Sequence, residues 1–285
     1  MNMAKSPSII KEIFKIKKFT ISIAVVISIL LFGLLGPLFY PRDPFEMKYY
    51  PERPPNPENP LGTDIAGRDI LVQLLHGTRF SVYIGVVAAL ISLAIGVTVG
   101  SVAGVKGGLV DDALMAITNI VLAMPSILLM MLIAAYFKYR DPILVSLIIG
   151  VTSWPWVARA VRAQILSLKN REFIYYSRMA CLSDLQIAFE DLLPNMAAYL
   201  FMAFVLLLSS AMISEAGLSM IGVGLTKGVS LGIILYWAQL FEAVRRGLWW
   251  WFIPPGAILV TLTASLLMLS TALDEYFNPR LRGGR

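Results

Sequence analysis

The chain of 285 residues is 58% hydrophobic and 15% charged, whereas soluble domains average about 25% charged residues. One cysteine, Cys181, and one histidine, His76, exclude an intrachain disulfide and a metal centre built from Cys and His. The net charge of +6 comes without a basic stripe of interleaved aromatics, which argues against a nucleic-acid partner. The apolar composition instead predicts a protein that lies in membrane lipid.

Six apolar blocks, each near the length that crosses about 30 Å of hydrocarbon, predict an all-α integral membrane protein. The blocks lie at 21–40, 81–105, 113–137, 143–165, 196–223 and 252–273. We expect the first block to be a span, not a cleaved signal, because Pro37 and Tyr40 stand where small residues would be needed. Residues 1–20 interleave lysines with Ile and Phe and predict a cytoplasmic amphipathic segment.

The distribution of Lys and Arg predicts that both termini are cytoplasmic, including the tail 274–285. With six spans this orientation places 14 of the 24 basic residues inside. Two long segments then lie outside. The proline-rich segment 41–80 is expected to start extended and turn-rich. The segment 225–251 reads as an amphipathic helix or re-entrant stretch that ends in three tryptophans, Trp249–Trp251, suited to the headgroup layer.

The cytoplasmic stretch 171–195, REFIYYSRMACLSDLQIAFEDLLPN, is unusually polar for its surroundings. Its apolar spacing predicts two short helices with a bend near 181–183, an N-cap at Ser183 followed by Asp184, and a break at Pro194. An apolar face held in water needs a cover. Either a partner covers it, or the loop is a hairpin packed on its own protein.

This loop resembles the cytoplasmic loop of binding-protein-dependent ABC importer permeases, whose pattern is EAA, three residues, G, nine residues, I-x-LP. Leu193 and Pro194 match the end, Cys181 stands at the glycine and Asp191 at the isoleucine. The first half departs from the pattern. The resemblance implies a type I ABC importer permease fold with a cytoplasmic coupling helix. It assigns these residues to ATPase coupling: Tyr175, Tyr176, Ser177, Arg178, Cys181, Leu182, Ser183, Asp184, Leu193 and Pro194.

Other stretches resemble the C-type permease subunit of dipeptide, oligopeptide and nickel importers. They are NPLGTDIAGRDILVQLLHGTRFSVYIG, GGLVDDALMAITNIVLAMPSILL, EAGLSMIGVG and DEYFNPRLRG, in the family's order. The resemblance implies an ABC transmembrane type-1 domain at 81–273 in a prokaryotic cytoplasmic membrane. The implied solutes are peptides or oligosaccharides, with nickel or a nickel chelate as the alternative.

The resemblance also implies a set of partners. They are a second homologous permease, one or two ATP-binding subunits that use ATP and Mg²⁺, and an extracytoplasmic solute-binding protein. The chain itself carries no P-loop motif G-x-x-x-x-G-K-[ST] and no nucleophile–base pair. We therefore expect no catalytic residue, no metal and no cofactor of its own.

Glu215 lies within an apolar block, where an ionisable side chain is a functional candidate. With Ser214 and Ser219 it forms a candidate translocation path or gate; the alternative is a buried structural carboxylate that hydrogen-bonds to serine. A proton-driven transporter would carry several such groups within its spans. A non-transporting scaffold would have no use for the coupling loop.

The remaining candidates are glycines that would pack helices together and acidic residues that would cap a helix. Gly96, Gly100 and Gly104 form consecutive G-x-x-x-G pairs, which let helices approach closely. They pack either against a second permease or within this chain. The segment from 63 to 69 predicts a helix start capped by Thr63 or Asp64, with contact to a binding protein as the alternative.

Overall fold

The computed structural model describes residues 13–14 and 16–277, and most of this part is helical. The helices are α1 (Lys17–Phe39), α2 (Ile70–Lys106), α3 (Gly108–Ala123), α4 (Ser126–Ala135), α5 (Pro142–Ser153), α6 (Pro155–Leu168), α7 (Glu172–Met179), α8 (Asp184–Gln186), α9 (Leu193–Asn195), α10 (Ala197–Met220), α11 (Leu231–Leu240) and α12 (Trp249–Phe277). A π-helical turn, Ile187–Leu192, joins α8 to α9. Most of the predicted amphipathic segment 1–20 and of the tail 274–285 lies outside the described residues.

Four helices in the described part are long and apolar enough to cross a membrane: α1, α2, α10 and α12. Two bent pairs, α3–α4 at 86° and α5–α6 at 47°, raise the number to six if each pair is one span. Each bend has a proline at its break, Pro125 and Pro155. Met124 before Pro125 is extended, because proline disfavours the helical conformation of the residue before it. Each predicted apolar block therefore corresponds to one helix or one bent pair.

Helix α2 is the central element, and its glycines pack against α6 of the same chain. A Cβ atom at Gly96 would lie 2.6 Å from the Val157 side chain, and one at Gly104 would lie 2.7 Å from Ile165. One at Gly100 would lie 2.5 Å from a backbone oxygen of α6. The structure therefore favours packing within the chain over packing against a second permease, since α6 occupies the face of these glycines.

Helix α2 begins at Ile70, eleven residues before the predicted start at 81, so the end of the segment 41–80 is helical. Its N-cap is Asp69, whose Oδ1 accepts hydrogen bonds from the backbone N–H groups of Leu71 and Val72 at 2.9 and 3.4 Å. The prediction of Thr63 or Asp64 as the cap is wrong, because the helix starts five or six residues later. Residues 41–69 contain turns and extended backbone without a helix, as the prolines predict.

The segment 225–251 contains the short apolar helix α11 and the first residues of α12. Its tryptophans do not share one environment. Trp249 is 49% exposed, whereas Trp251 is fully buried and Trp250 donates an indole N–H to the Thr63 carbonyl oxygen at 3.2 Å. The expectation of three headgroup tryptophans is corrected, because Trp250 fastens the segment 41–69 to the start of α12 and Trp251 is buried and stacks on Phe241.

Candidate functional site

The loop between α6 and α10 folds as the sequence predicts, into two arms with a sharp bend. Helix α7 ends at Met179, and Cys181 adopts a left-handed conformation with φ of 57°. Ser183 then begins the second arm with a capping box: its Oγ accepts from the Gln186 N–H, and its own N–H donates to Gln186 Oε1. This arrangement satisfies backbone groups at the helix start and fixes the bend.

The second arm contains the π-helical turn, and Pro194 accounts for it. Proline has no N–H to donate, and its ring crowds the carbonyl four residues earlier, here that of Glu190. The turn before it relaxes to i→i+5 bonding. Ile187 and Leu192, five positions apart, are consequently both buried on the inward face.

The inward face of the loop packs on its own protein. Ile174, Ile187 and Leu192 are buried in one cluster with Val161 and Ile165 of α6. The hairpin interpretation is thus correct for one face of the loop.

The outward face of the loop is exposed and apolar. Tyr175 is 59% exposed, Tyr176 71%, Met179 79% and Phe189 65%. Cys181, Ser183, Asp184 and Pro194 are also exposed, whereas Ser177, Leu182 and Leu193 are half-buried. Arg178 lies on α7, and its side chain is outside the described residues. Met179 follows Tyr175 and Tyr176 at helical spacing, so these three side chains share one exposed face of α7. Phe189 lies apart from them, beside Val97 and Val102 of α2. Exposed apolar faces of this kind are typical of interaction surfaces.

An ion pair beside this loop escaped the sequence analysis. Asp111 of α3 accepts two hydrogen bonds from the Arg162 guanidinium of α6, both at 2.5 Å. Lys169, at the end of α6, donates to the Val105 carbonyl oxygen at 2.8 Å and so caps α2. The bidentate geometry of the Asp111–Arg162 pair ties α3 to α6.

Glu215 is fully buried and joins three elements. Its Oε1 accepts from the hydroxyls of Ser230 at 2.5 Å and Ser219 at 2.8 Å, and its Oε2 accepts from Ser81 at 3.3 Å. Two of these hydroxyls also accept backbone N–H groups of α11: Ser81 from Leu231 and Ser230 from Ile233. The carboxylate therefore holds the start of α11 against α2 and α10.

This geometry favours the structural interpretation of Glu215 over the path or gate. Ser219 is brought to the carboxylate as predicted. Ser214 is half-buried on the same helix, but the hydrogen bonds of Glu215 within the described residues run to Ser81, Ser219 and Ser230. Ser81 and Ser230 were missed because they lie on other elements. Nothing in the motif EAGLSMIGVG indicates that these two serines contact Glu215.

The acidic residues before α2 are engaged in local structure. Asp69 Oδ2 accepts hydrogen bonds from Tyr40, Arg42 and Asn59, each at 3.0 Å. Burial, together with the Asp69 carboxylate, raises the pKa of Tyr40 to about 12.

Asp64 pairs with Arg68 at 2.6 Å, and the Arg68 guanidinium lies 4.1 Å from the centre of a Trp237 ring. These contacts leave Asp64, Arg68 and Asp69 little capacity for a binding protein. They support the local interpretation.

Fold and loop together define a multi-helix integral membrane component whose loop between α6 and α10 exposes apolar side chains. The family described as "Binding-protein-dependent transport system inner membrane component" matches residues 96–283. The chain belongs to this family.

Named relatives match over most of their length. The chain is 29% identical to the oligopeptide transport system permease protein of Bacillus subtilis, over 92% of this chain and 85% of the relative. It is 30% identical to the dipeptide transport system permease protein of Haemophilus influenzae, over 92% of this chain and 90% of the relative. It is 32% identical to the oligopeptide transport system permease protein of Mycobacterium bovis, over 82% of this chain and 80% of the relative.

Proposed function

We propose that the chain is a permease subunit of an ATP-driven importer that carries peptides across the prokaryotic cytoplasmic membrane. The family match supports the permease role. The names of the relatives, which are oligopeptide and dipeptide transport proteins, favour peptides over oligosaccharides or nickel. In this proposal a second homologous permease completes the solute path, and an extracytoplasmic binding protein delivers the solute.

The proposed topology has six spans with both termini in the cytoplasm. The two bent pairs, α3–α4 and α5–α6, each count as one span. The bias of basic residues toward the predicted inner segments supports this orientation. The loop at 171–195 then faces the cytoplasm, whereas the segments 41–69 and 225–248 face outward.

The observation that carries the proposal is the two-sided character of the loop. One face is buried against α6, while the other exposes Tyr175, Tyr176 and Met179 of α7. A loop fixed to the spans on one side and open to a partner on the other can transmit force. We assign the exposed face to a cleft in an ATPase subunit, which binds ATP and Mg²⁺ and moves the loop as a rigid body.

The bulk of the two tyrosines makes this contact selective. An ATPase whose cleft fits a small residue would clash with Tyr175 or Tyr176, so affinity for a wrong partner falls. We therefore expect this permease to reject ATPases from related importers that carry the first alanine of the EAA pattern at the position of Tyr176.

The test is a pull-down of the complete importer through a tag on this permease. The double variant Tyr176→Glu/Met179→Glu places two charges on the docking face, where burial without a partner is costly. We expect loss of the ATPase subunits and of import, with the second permease still bound. The matched control is Tyr136→Glu, because Tyr136 is 89% exposed at the far end of α4. Retention of the ATPase in the double variant would refute the assignment.

A non-transporting scaffold is the alternative from another class. Import of a labelled peptide into vesicles that contain the four kinds of subunit, dependent on ATP, decides between the two. A scaffold would support no import under any nucleotide condition.

A further inference from the structure

A hydrogen bond links the two arms of the coupling loop. Ser177 Oγ on α7 donates to Asp191 Oδ2 in the π-helical turn at 2.6 Å. Both residues are half-buried, between the packed inner face and the exposed outer face. A bond from a hydroxyl to an ionised carboxylate is among the stronger neutral–charged hydrogen bonds.

The π-helical turn sets the position of Asp191. The extra residue in a π-turn shifts all later side chains around the helix axis. Asn195, directly after Pro194, donates its side-chain N–H to the Asp191 carbonyl oxygen at 2.7 Å. This bond ties the Asp191 backbone to the residue that follows the proline. Pro194, the π-turn and Asn195 thus act together to hold Asp191 toward α7.

The two arms connect to different spans. Helix α7 follows α6 after a short turn, and α9 leads directly into α10. The bend between the arms lies at Cys181, which has a left-handed conformation. The Leu182 N–H donates to the Ser177 carbonyl oxygen across this bend at 3.2 Å, and Ile174 of one arm shares a buried cluster with Ile187 and Leu192 of the other. The bond between the Ser177 and Asp191 side chains adds a polar link farther from the bend that resists its opening or closing.

We propose that Asp191 is a positioning residue for energy coupling, which fixes the angle between the arms through Ser177. Displacement of the loop by an ATPase is then delivered to α6 and α10 together. The inference rests on the proposed coupling function. Asp191 does not touch nucleotide or solute. It sets how much of each ATPase cycle becomes movement of the spans.

The experiment uses the complete importer in vesicles and measures peptide imported per ATP hydrolysed, together with the amount of ATPase bound. Asp191→Ala removes the acceptor, and Ser177→Ala removes the donor. We expect each to lower import per ATP by about three- to tenfold, the range of one such hydrogen bond, while ATPase subunits stay bound. The double variant is expected to lose no more than either single variant, because both remove the same bond.

Two control variants distinguish a role of Asp191 in coupling from a role in folding. Asp191→Asn keeps an acceptor oxygen of the same reach and is expected to stay within about twofold of the native ratio. Glu190→Ala removes the adjacent exposed carboxylate and is expected to leave the ratio unchanged. A purely structural role would reduce the amount of assembled importer and leave the ratio of the assembled fraction intact.

The outcomes also distinguish this inference from the coupling proposal itself. If Asp191→Ala retains the native ratio while Tyr176→Glu/Met179→Glu still releases the ATPase, the loop couples but Asp191 does not position it. The variant that combines Asp191→Ala with Ser177→Ala gives a second criterion. If its fold-loss of import per ATP equals the product of the two single fold-losses, the two residues act independently and the inference is wrong. If neither the docking face nor Asp191 affects ATPase binding or import, the coupling function fails as well.

Discussion

Ser230 Oγ lies 2.5 Å from Glu215 Oε1, so the residue that caps α11 is fastened to a carboxylate on α10. The same hydroxyl accepts the Ile233 N–H at 3.1 Å, which directs its proton to the carboxylate. Glu215 thus completes the N-terminal capping of α11 through a serine.

Glu215→Gln tests this structural role. The amide keeps the size and one acceptor oxygen, so we expect normal assembly, most of the import, and a loss of stability of about 1 kcal/mol. Glu215→Leu leaves the serine hydroxyls without their acceptor and is expected to cost about 2–5 kcal/mol. Thermal unfolding of the purified importer measures both. A collapse of import in Glu215→Gln, with assembly and ATPase activity normal, would instead place Glu215 in the solute path.

Gly100→Ala tests the packing of α2 on α6. A Cβ at this position would lie 2.5 Å from the backbone oxygen of Ala158, so the helices must separate, and we expect a lower melting temperature and poor yield. Gly256→Ala on α12 is the matched control, because its Cβ would lie 4.0 Å from the nearest side chain. If Gly100→Ala folds normally but no longer binds the second permease, the glycine face serves subunit assembly after all.

Removal of one partner of the Asp111–Arg162 pair should destabilise the inner ends of α3 and α6. Arg162 keeps about a third of its side-chain surface exposed, so the cost is below that of a fully buried pair, about 1–3 kcal/mol. We expect Asp111→Ala to lower thermal stability, and Asp111→Arg/Arg162→Asp to recover part of the loss. Equal stability of the single variant and the native chain would show that the pair contributes nothing.

The bend of the loop was predictable because its signals are local. Ser183 and Gln186 form their capping box three residues apart, and a proline constrains only its neighbours. The fold class followed equally directly from the length of the apolar blocks.

The partners of the buried polar groups were not predictable. Ser81 lies 134 residues from Glu215, and Asp111 lies 51 residues from Arg162. Small-residue spacing on α2 indicates that a helix approaches closely, but not whether that helix belongs to the same chain. The early start of α2 was missed because His76 and Arg79 lower the hydropathy of a turn that is nonetheless helical.

Crosslinking from Cys181 tests the central claim most directly, because this residue is exposed at the bend and is the only native thiol. Single cysteines would be placed along the cleft of a cysteine-free ATPase subunit, and the assembled importer would be oxidised with and without ATP. The account predicts a disulfide between Cys181 and at least one cleft position, with a yield that changes with nucleotide. The account would be contradicted if no cleft position crosslinks and Cys181 reacts with a water-soluble maleimide as fast in the assembled importer as in the isolated chain.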